Sequence, residues 1–135
     1  MIVIDANVAI EVARNTNRGK EFDDLIANAD KTIAPTLFLS EVANAIWKYA
    51  VFGNPPVEGW QQLFEVAVSE IDEFVPDASL FPEALSEAVK LKHSVYDMLY
   101  LVLARRTASP LLTGDRRLVA LCEGAGVTCV EAANI

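Results

Sequence analysis

The sequence predicts an α/β fold, a three-layer α/β/α sandwich around a mostly parallel central sheet. Short apolar runs alternate along the chain with longer segments whose apolar residues recur every three or four positions. Short strands alternating with helices form parallel sheets whose two faces are both covered by helices. The 135 residues are 53% hydrophobic, which suits a single core. We therefore expect residues 1–135 to form one domain.

The first half of the chain opens on a buried strand and ends at a proline-rich break. The expected elements are a strand at 2–4, helices at 7–13 and 21–28, a strand at 32–34, and a long helix from 36 towards 51. Pro35 is typical of the first turn of that long helix. The segment Gly53-Asn54-Pro55-Pro56 ends it.

The second half continues the alternation of helices and strands. The expected elements are a helix at 57–69, a strand at 71–75, helices at 81–92 and 94–104, a strand at 111–113, a helix at 116–123 and a strand at 127–130. In the helix at 81–92, Leu85, Ala88 and Val89 are expected to face inward. The helix at 94–104 is apolar on almost every side, which indicates burial all round. Asp97 lies in its first turn.

Four acidic residues are expected at one edge of the sheet. Asp5 and Asp115 follow strands, whereas Asp97 and Glu41 lie in the first two turns of helices. Because parallel strands end and their following helices begin at the same edge, the fold should bring these four residues together. Three polar neighbours lie close to them in the sequence: Asn7 beside Asp5, Asn44 one turn after Glu41, and Thr113 before Asp115.

Each acid also has a purely structural interpretation. Asp5 suits an Asx turn, Asp115 a helix N-cap, Asp97 a capping box with Ser94, and Glu41 a solvated helix position. Four carboxylates gathered in one place would nevertheless repel one another unless bound cations neutralised them. Sites made of carboxylate oxygens and water favour Mg²⁺ or Mn²⁺. His93 is the single histidine, and we expect it to be a rim or packing residue.

The net charge of −8 permits two interpretations. An acidic surface repels nucleic acid, whose binding usually depends on lysine and arginine. Acids gathered at one site would instead be neutralised by bound cations. The longest apolar run, Met98 to Ala104, is too short to span a bilayer, and the N-terminus lacks the basic region of a signal peptide. We expect a cytoplasmic protein.

A carboxylate site that binds divalent cations supports hydrolysis of phosphodiester bonds. The cation polarises a water molecule as the nucleophile and stabilises the charge that develops on the phosphate. Thr113 and Asn7 are candidates for orienting that water or a carboxylate. Arg116 and Arg117 are candidates for phosphate contacts, although solvated helix positions explain them better.

Four segments of the chain resemble the sequence motifs of PIN domains. They are Ile2-Val3-Ile4-Asp5-Ala6-Asn7, Ser40-Glu41-Val42-Ala43-Asn44-Ala45, Val95-Tyr96-Asp97-Met98-Leu99-Tyr100-Leu101 and Leu111-Leu112-Thr113-Gly114-Asp115-Arg116-Arg117-Leu118. They occur in the family's order and span nearly the whole chain. Each segment alone is weak evidence, and the four together are specific.

The resemblance implies a Mg²⁺- or Mn²⁺-dependent ribonuclease with a PIN-like fold. Asp5, Glu41, Asp97 and Asp115 would be its catalytic, metal-binding carboxylates. A chain of this length is most similar to the VapC-type toxins of toxin–antitoxin pairs. The resemblance therefore also implies an RNA substrate, a homodimer, and a small antitoxin that inserts a segment near the acidic site.

Two other functions remain open at this point. A phosphatase of the haloacid dehalogenase type also begins with a strand that ends in aspartate. It typically needs a second aspartate two residues later, where this chain has Asn7. A non-catalytic binding module that keeps the fold would account for the net charge of −8, but not for acids at all four motif positions.

Overall fold

The computed structural model describes residues 1–130 and contains a five-stranded parallel sheet. Its strands are β1 (Ile2–Ile4), β2 (Thr32–Pro35), β3 (Glu73–Val75), β4 (Leu111–Leu112) and β5 (Cys129–Val130). Their order across the sheet is β3-β2-β1-β4-β5, and all four pairings are parallel. The predicted parallel α/β sheet is confirmed. The strand order reverses between β1 and β4, which is where ligands bind in open α/β sheets.

Seven α-helices connect the strands in the described part of the chain. They are α1 (Ala6–Ala13), α2 (Asn17–Ala27), α3 (Leu37–Phe52), α4 (Trp60–Ser69), α5 (Phe81–Leu91), α6 (Val95–Arg106) and α7 (Arg116–Ala125). A short 3-10 turn, Asp77–Ser79, precedes α5. Among residues 1–130, no helix is long and apolar enough to cross a membrane.

The helices form one layer on each face of the sheet. Side chains alternate along each strand, so Ile2 and Ile4 pack with α1–α4, whereas Val3 packs with α5–α7. Helix α6 lies at the centre of the second layer. Its residues from Met98 to Ala104 are all buried, as the apolar pattern predicts. This helix forms a rigid base from which Asp97 projects at the edge of the sheet.

The predicted inward face of α5 is wrong at two of three positions. Leu85 and Val89 are 58% and 72% exposed. The helix instead packs against α6 through the face that carries buried Ala84 and partly buried Ala88. Alanine permits a close approach between the two helices, and the larger residues are left on the outer surface. The apolar pattern correctly predicted a helix but placed its apolar side incorrectly.

Candidate active site

A cleft of about 390 Å³ lies at the carboxyl edge of the sheet, beside the point where the strand order reverses. All four predicted acids line it, although they come from four separate segments of the chain. Asn7 and Asn44 lie in its wall as well. The complete lining is Asp5, Ala6, Asn7, Glu41, Asn44, Ala45, Lys48, Tyr49, Asp97, Tyr100, Asp115 and Leu118. We call this cavity the acid cleft.

Asp5 is the most deeply buried of the four acids, with 8% of its surface exposed. It follows β1 and caps α1, where its Oδ1 accepts a hydrogen bond of 3.0 Å from the backbone N–H of Val8. Its Oδ2 accepts a hydrogen bond from the hydroxyl of Thr113. Both oxygens therefore have a donor, and the carboxylate is fixed at the bottom of the cleft.

Thr113 connects the two acids that follow neighbouring strands. While its hydroxyl donates to Asp5, the same oxygen accepts a hydrogen bond of 3.0 Å from the backbone N–H of Asp115. Asp115 in turn caps α7, and its Oδ1 accepts from the N–H of Arg117 at 2.9 Å and, more weakly, from that of Leu118 at 3.4 Å. Thr113 is fully buried, so it acts behind the cleft wall.

Glu41 comes from the second turn of α3 and is held by an aromatic hydroxyl from the other helical layer. The hydroxyl of Tyr100 on α6 donates to Glu41 Oε1 at 2.6 Å. Burial, followed by the negative charge of Glu41, raises the pKa of Tyr100, so the hydroxyl remains protonated and keeps donating. This bond links α3 to α6 across the end of the sheet.

Asp97 pairs with His93 one helical turn before it. The distance from His93 Nε2 to Asp97 Oδ2 is 2.7 Å, and the two side chains are 7% and 30% exposed. Ser94 caps α6 through its own side chain, which accepts from the N–H of Tyr96 at 3.2 Å. His93 therefore contacts one of the four acids, and the spacing of four residues was the signal that could have revealed this contact.

The electrostatics of the acid cleft oppose full ionisation. Burial, reinforced by the charges of Glu41 and Asp97, raises the pKa of Asp5 from 3.8 to about 6, despite the hydrogen bonds from Thr113 and Val8. Burial also raises the pKa of Glu41, and the charge of Asp97 adds to that effect. Ionising every acid therefore carries an energetic cost in the protein alone, which a bound cation would offset.

The donors in the cleft fit Mg²⁺ or Mn²⁺ by their chemistry. Carboxylates and amide oxygens form its polar wall, and hard divalent cations prefer oxygen ligands. Within residues 1–130, however, no three acidic, histidine or cysteine side chains are gathered closely enough to hold one ion together. Each of the four carboxylates is instead hydrogen-bonded to the protein, to Thr113, Tyr100, His93 or the N-terminus of α7.

A family model described as PIN domain matches residues 2–124, which includes all four acids. The chain belongs to the PIN domain family. A curated relative, ribonuclease VapC3 of Pyrobaculum aerophilum, is 29% identical over 127 residues, which cover 87% of this chain and 91% of the relative.

Solved structures share the fold at lower identity. PAE2754 from Pyrobaculum aerophilum superposes with a TM-score of 0.73 at 24% identity, covering 97% of this chain and 90% of that one. VapBC2 from Rickettsia felis, bound to a DNA fragment from its promoter, gives 0.67 at 13% identity, with coverage of 97% and 98%. FitAcB from Neisseria gonorrhoeae gives 0.62 at 12% identity and covers all of both chains.

Three sequence-predicted residues lie outside the cleft wall, and two tyrosines that were not predicted lie inside it. Thr113 is buried behind the acids, whereas Arg116 and Arg117 are exposed on α7 and are not part of the lining. Tyr49 and Tyr100 line the cleft but were not singled out from the sequence. Tyr100 follows Asp97 by three residues, so helical spacing alone places it on the same face.

Proposed function

We propose that this PIN-domain chain is a metal-dependent endoribonuclease and that residues 1–135 form its nuclease domain. It would act in the cytoplasm as the toxin of a VapBC-type toxin–antitoxin pair. One observation carries the proposal: Asp5, Glu41, Asp97 and Asp115 line the same cleft although they are far apart in the sequence. The 29% identity to a curated ribonuclease supports the choice of RNA as substrate.

The four carboxylates would hold Mg²⁺ or Mn²⁺, with at most two of them on any one ion as the side chains are arranged, which suits cations that keep several waters. When bound, the cation supplies a polarised water as nucleophile and neutralises charge that develops on the phosphate. Thr113 positions Asp5 and the backbone of Asp115 with a single hydroxyl. Tyr100 keeps Glu41 directed into the cleft. Asn44 and Lys48 lie along the cleft face of α3, where they can donate hydrogen bonds to phosphate oxygens.

The test is an RNA cleavage assay with purified protein. We expect cleavage in Mg²⁺ or Mn²⁺, none in EDTA, and a large loss in Asp97→Asn, which keeps the shape of the side chain and removes its charge. Lys90→Ala on α5, away from the cleft lining, is the matched surface control. If Asp97→Asn cleaves as fast as the unaltered protein, the proposed mechanism is wrong.

The two alternative functions make different predictions. An aspartyl-phosphate trapped on Asp5 would favour a phosphatase, but both oxygens of that carboxylate already accept hydrogen bonds from Val8 and Thr113. A non-catalytic module would bind a partner protein but show no uptake of divalent ions in calorimetry. The net charge of −8 is the best support for that alternative.

Two exposed apolar surfaces support the protein partners in the proposal. A groove of about 670 Å³ between α3 and α4 is lined mainly by apolar side chains, including Trp47 and Trp60. We assign it to the antitoxin, because grooves between helices accept apolar segments of a partner. Phe81, Leu85 and Val89 form an exposed stripe along α5. We assign this stripe to a second copy of the chain, since one helix face can pair with itself around a two-fold axis.

A further inference from the structure

A second polar cavity adjoins the acid cleft and is not explained by the metal site. It also measures about 390 Å³ and shares Asn7, Tyr49 and Asp115 with the cleft. Two guanidinium groups, those of Arg14 and Arg18, lie in its wall. Positive side chains thus lie directly beside the predicted site of phosphodiester cleavage.

The turn between α1 and α2 fixes both arginines in place. Arg14 is the C-cap of α1, and Thr16 caps α2 by accepting from the N–H of Gly19 at 2.9 Å. At Gly19 a Cβ atom would lie 2.0 Å from the carbonyl oxygen of Glu11, so the two helices approach as closely as their backbones permit. The position of Arg14 relative to Arg18 is therefore set by tightly packed backbone between the two helices.

Aromatic and backbone contacts orient the two guanidinium groups. Arg14 Cζ lies 4.3 Å from the centre of the Tyr49 ring, and Tyr49 lines both cavities. Arg18 Cζ lies 5.5 Å from the Phe22 ring. The Arg18 guanidinium also rests on Gly114, where a Cβ would come within 2.5 Å of Nη2. A stacked guanidinium keeps its hydrogen-bond donors available for a ligand in its plane.

We propose that Arg14 and Arg18 form a subsite for a phosphate of the RNA strand next to the phosphate that is cleaved. This inference rests on the proposed nuclease function. The subsite would position the strand across the acid cleft, since phosphate contacts fix register and orientation. Arginine suits this role because its fork of donors matches the oxygens of a phosphate.

Across the described residues, neither Arg14 nor Arg18 is engaged by a close ion pair, in contrast to three other basic residues. Lys31, Arg105 and Arg106 form ion pairs with glutamates in the described part of the chain. Among residues 1–130, Arg14 forms no ion pair. Arg18 has one loose pair, 3.7 Å from Nε to Glu11 Oε2, between partly exposed side chains. Such a pair is weak, so a phosphate can displace Glu11.

Glu11 allows a test in which two kinds of substitution should change RNA affinity in opposite directions. Glu11 lines the same cavity and competes with phosphate for Arg18. Replacing Glu11 with glutamine should therefore strengthen RNA binding, whereas replacing the arginines should weaken it. A structural role for the arginines alone would not predict opposite effects from these two changes.

The kinetic experiment measures cleavage of a short single-stranded RNA in Mg²⁺ at several salt concentrations. The double variant Arg14→Ala/Arg18→Ala should raise KM at least tenfold and leave kcat within about threefold. The slope of log(kcat/KM) against the logarithm of salt concentration should become less negative by roughly 0.7 for each phosphate that the variant no longer neutralises. The control is Lys20→Ala, which removes one positive charge from the exposed side of α2. It should change KM less than twofold.

Two further variants separate position from charge. Gly114→Ala keeps both arginines but places a methyl group against the Arg18 guanidinium, so KM should rise without a change in net charge. Glu11→Gln should lower KM about threefold. Fluorescence anisotropy with the same labelled RNA in EDTA should give the same order of affinities without any cleavage.

The outcomes distinguish this inference from the proposed function. Failure of the unaltered protein to cleave RNA would overturn both. Cleavage by the unaltered protein with an unchanged KM in Arg14→Ala/Arg18→Ala would overturn the subsite alone. A double variant that loses kcat but not affinity would also contradict it, and so would absence of RNA binding by the unaltered protein in EDTA.

Discussion

Helix α3 separates two cavities of opposite character. One face carries Glu41, Asn44 and Lys48 into the acid cleft, and the other carries Ile46 and Trp47 into the apolar groove. In the cleft, burial raises the pKa of Asp5 and of Glu41, and neighbouring carboxylates add to both shifts, so ionisation is costly in the protein alone. In the groove, Trp47 and Trp60 remain 51% and 49% exposed, so apolar surface stays in contact with water.

The comparison shows two energetic costs that a folded chain can carry, ionisation of buried acids in the cleft and exposure of apolar side chains in the groove. The cleft is rigid, because its acids are held by hydrogen bonds from Thr113, Tyr100 and His93. At the groove, Trp47 packs edge-on against Phe52 of the same helix, with 5.4 Å between the ring centres. Changes in the cleft should therefore affect chemistry, and changes in the groove should affect association.

The largest expected effect is on the rate of RNA cleavage. Glu41→Gln keeps the acceptor for Tyr100 but removes a charge from the proposed cation site, so kcat should fall by about 10³-fold, since a bound metal contributes several kcal/mol to transition-state stabilisation. Trp47→Ala on the opposite face of the same helix should leave kcat within twofold. If kcat fell equally in Glu41→Gln and Trp47→Ala, the assignment of chemistry to the cleft and of association to the groove would be wrong.

The next effect is on stability in EDTA. Raising the pKa of Asp5 from 3.8 to about 6 opposes folding by about 3 kcal/mol once the group is ionised. A raised pKa favours the folded state below pH 3.8, and this contribution is lost as the pH rises through 6. In Asp5→Asn the amide oxygen can still accept from Val8, and the amide N–H can donate to the Thr113 hydroxyl oxygen in place of the original bond. This variant should therefore be more stable than the unaltered protein at pH 7.5.

Denaturant unfolding at several pH values checks this prediction. The advantage of Asp5→Asn should be about 3 kcal/mol at pH 7.5 and should shrink as the pH falls to 4. Taking the difference between the two proteins cancels the titration of groups that they share. An advantage that does not depend on pH would mean that Asp5 carries no ionisation cost.

A smaller effect is expected on binding of the antitoxin. Trp47→Glu places a charge in the apolar groove and should weaken the complex with the cognate antitoxin by roughly 30-fold, the effect of losing one strong interface residue. RNA cleavage by the free protein should be unchanged. Titration calorimetry with the antitoxin measures the first value, and Glu58→Gln on the exposed surface nearby is the control. If Trp47→Glu bound the antitoxin with unchanged affinity, the groove would not be the antitoxin-binding site.

The smallest effect is expected on self-association. Val89→Glu places a charge on the exposed α5 stripe and should raise the dissociation constant of the homodimer about tenfold, because one of the three apolar side chains of the stripe is replaced. Light scattering over a range of concentrations measures this constant. Lys90→Gln, the adjacent exposed residue, is the control. A dimer that persists equally in Val89→Glu would place the interface elsewhere.

The sequence predicted the framework of the cleft because backbone topology determines it. Asp5 and Asp115 follow strands that proved to be neighbours, and parallel strands bring their ends to one edge whatever the side-chain details. The burial of α6 could also be predicted from the sequence, since a helix that is buried on all sides has no polar stripe.

The partners of the acids were harder to predict because they depend on side-chain directions between distant elements. Tyr100 and Glu41 are 59 residues apart, and nothing local links them. The exposed side of α5 was missed for a related reason. Leu85 and Ala88 both fit an apolar helix face, and only packing against α6 decides which of them is covered.

The most direct test of the acid cleft as a cation site is a calorimetric titration of the metal-free protein with Mn²⁺ at pH 7.5. The unaltered chain should bind Mn²⁺, and its free energy of unfolding should rise with Mn²⁺ concentration as the folded state takes up the ion. Asp5→Asn and Glu41→Gln should lose most of the binding, whereas Trp47→Ala should retain it. Binding of equal strength in Asp5→Asn, or no binding by the unaltered chain, would contradict the assignment of the acid cleft as a cation site.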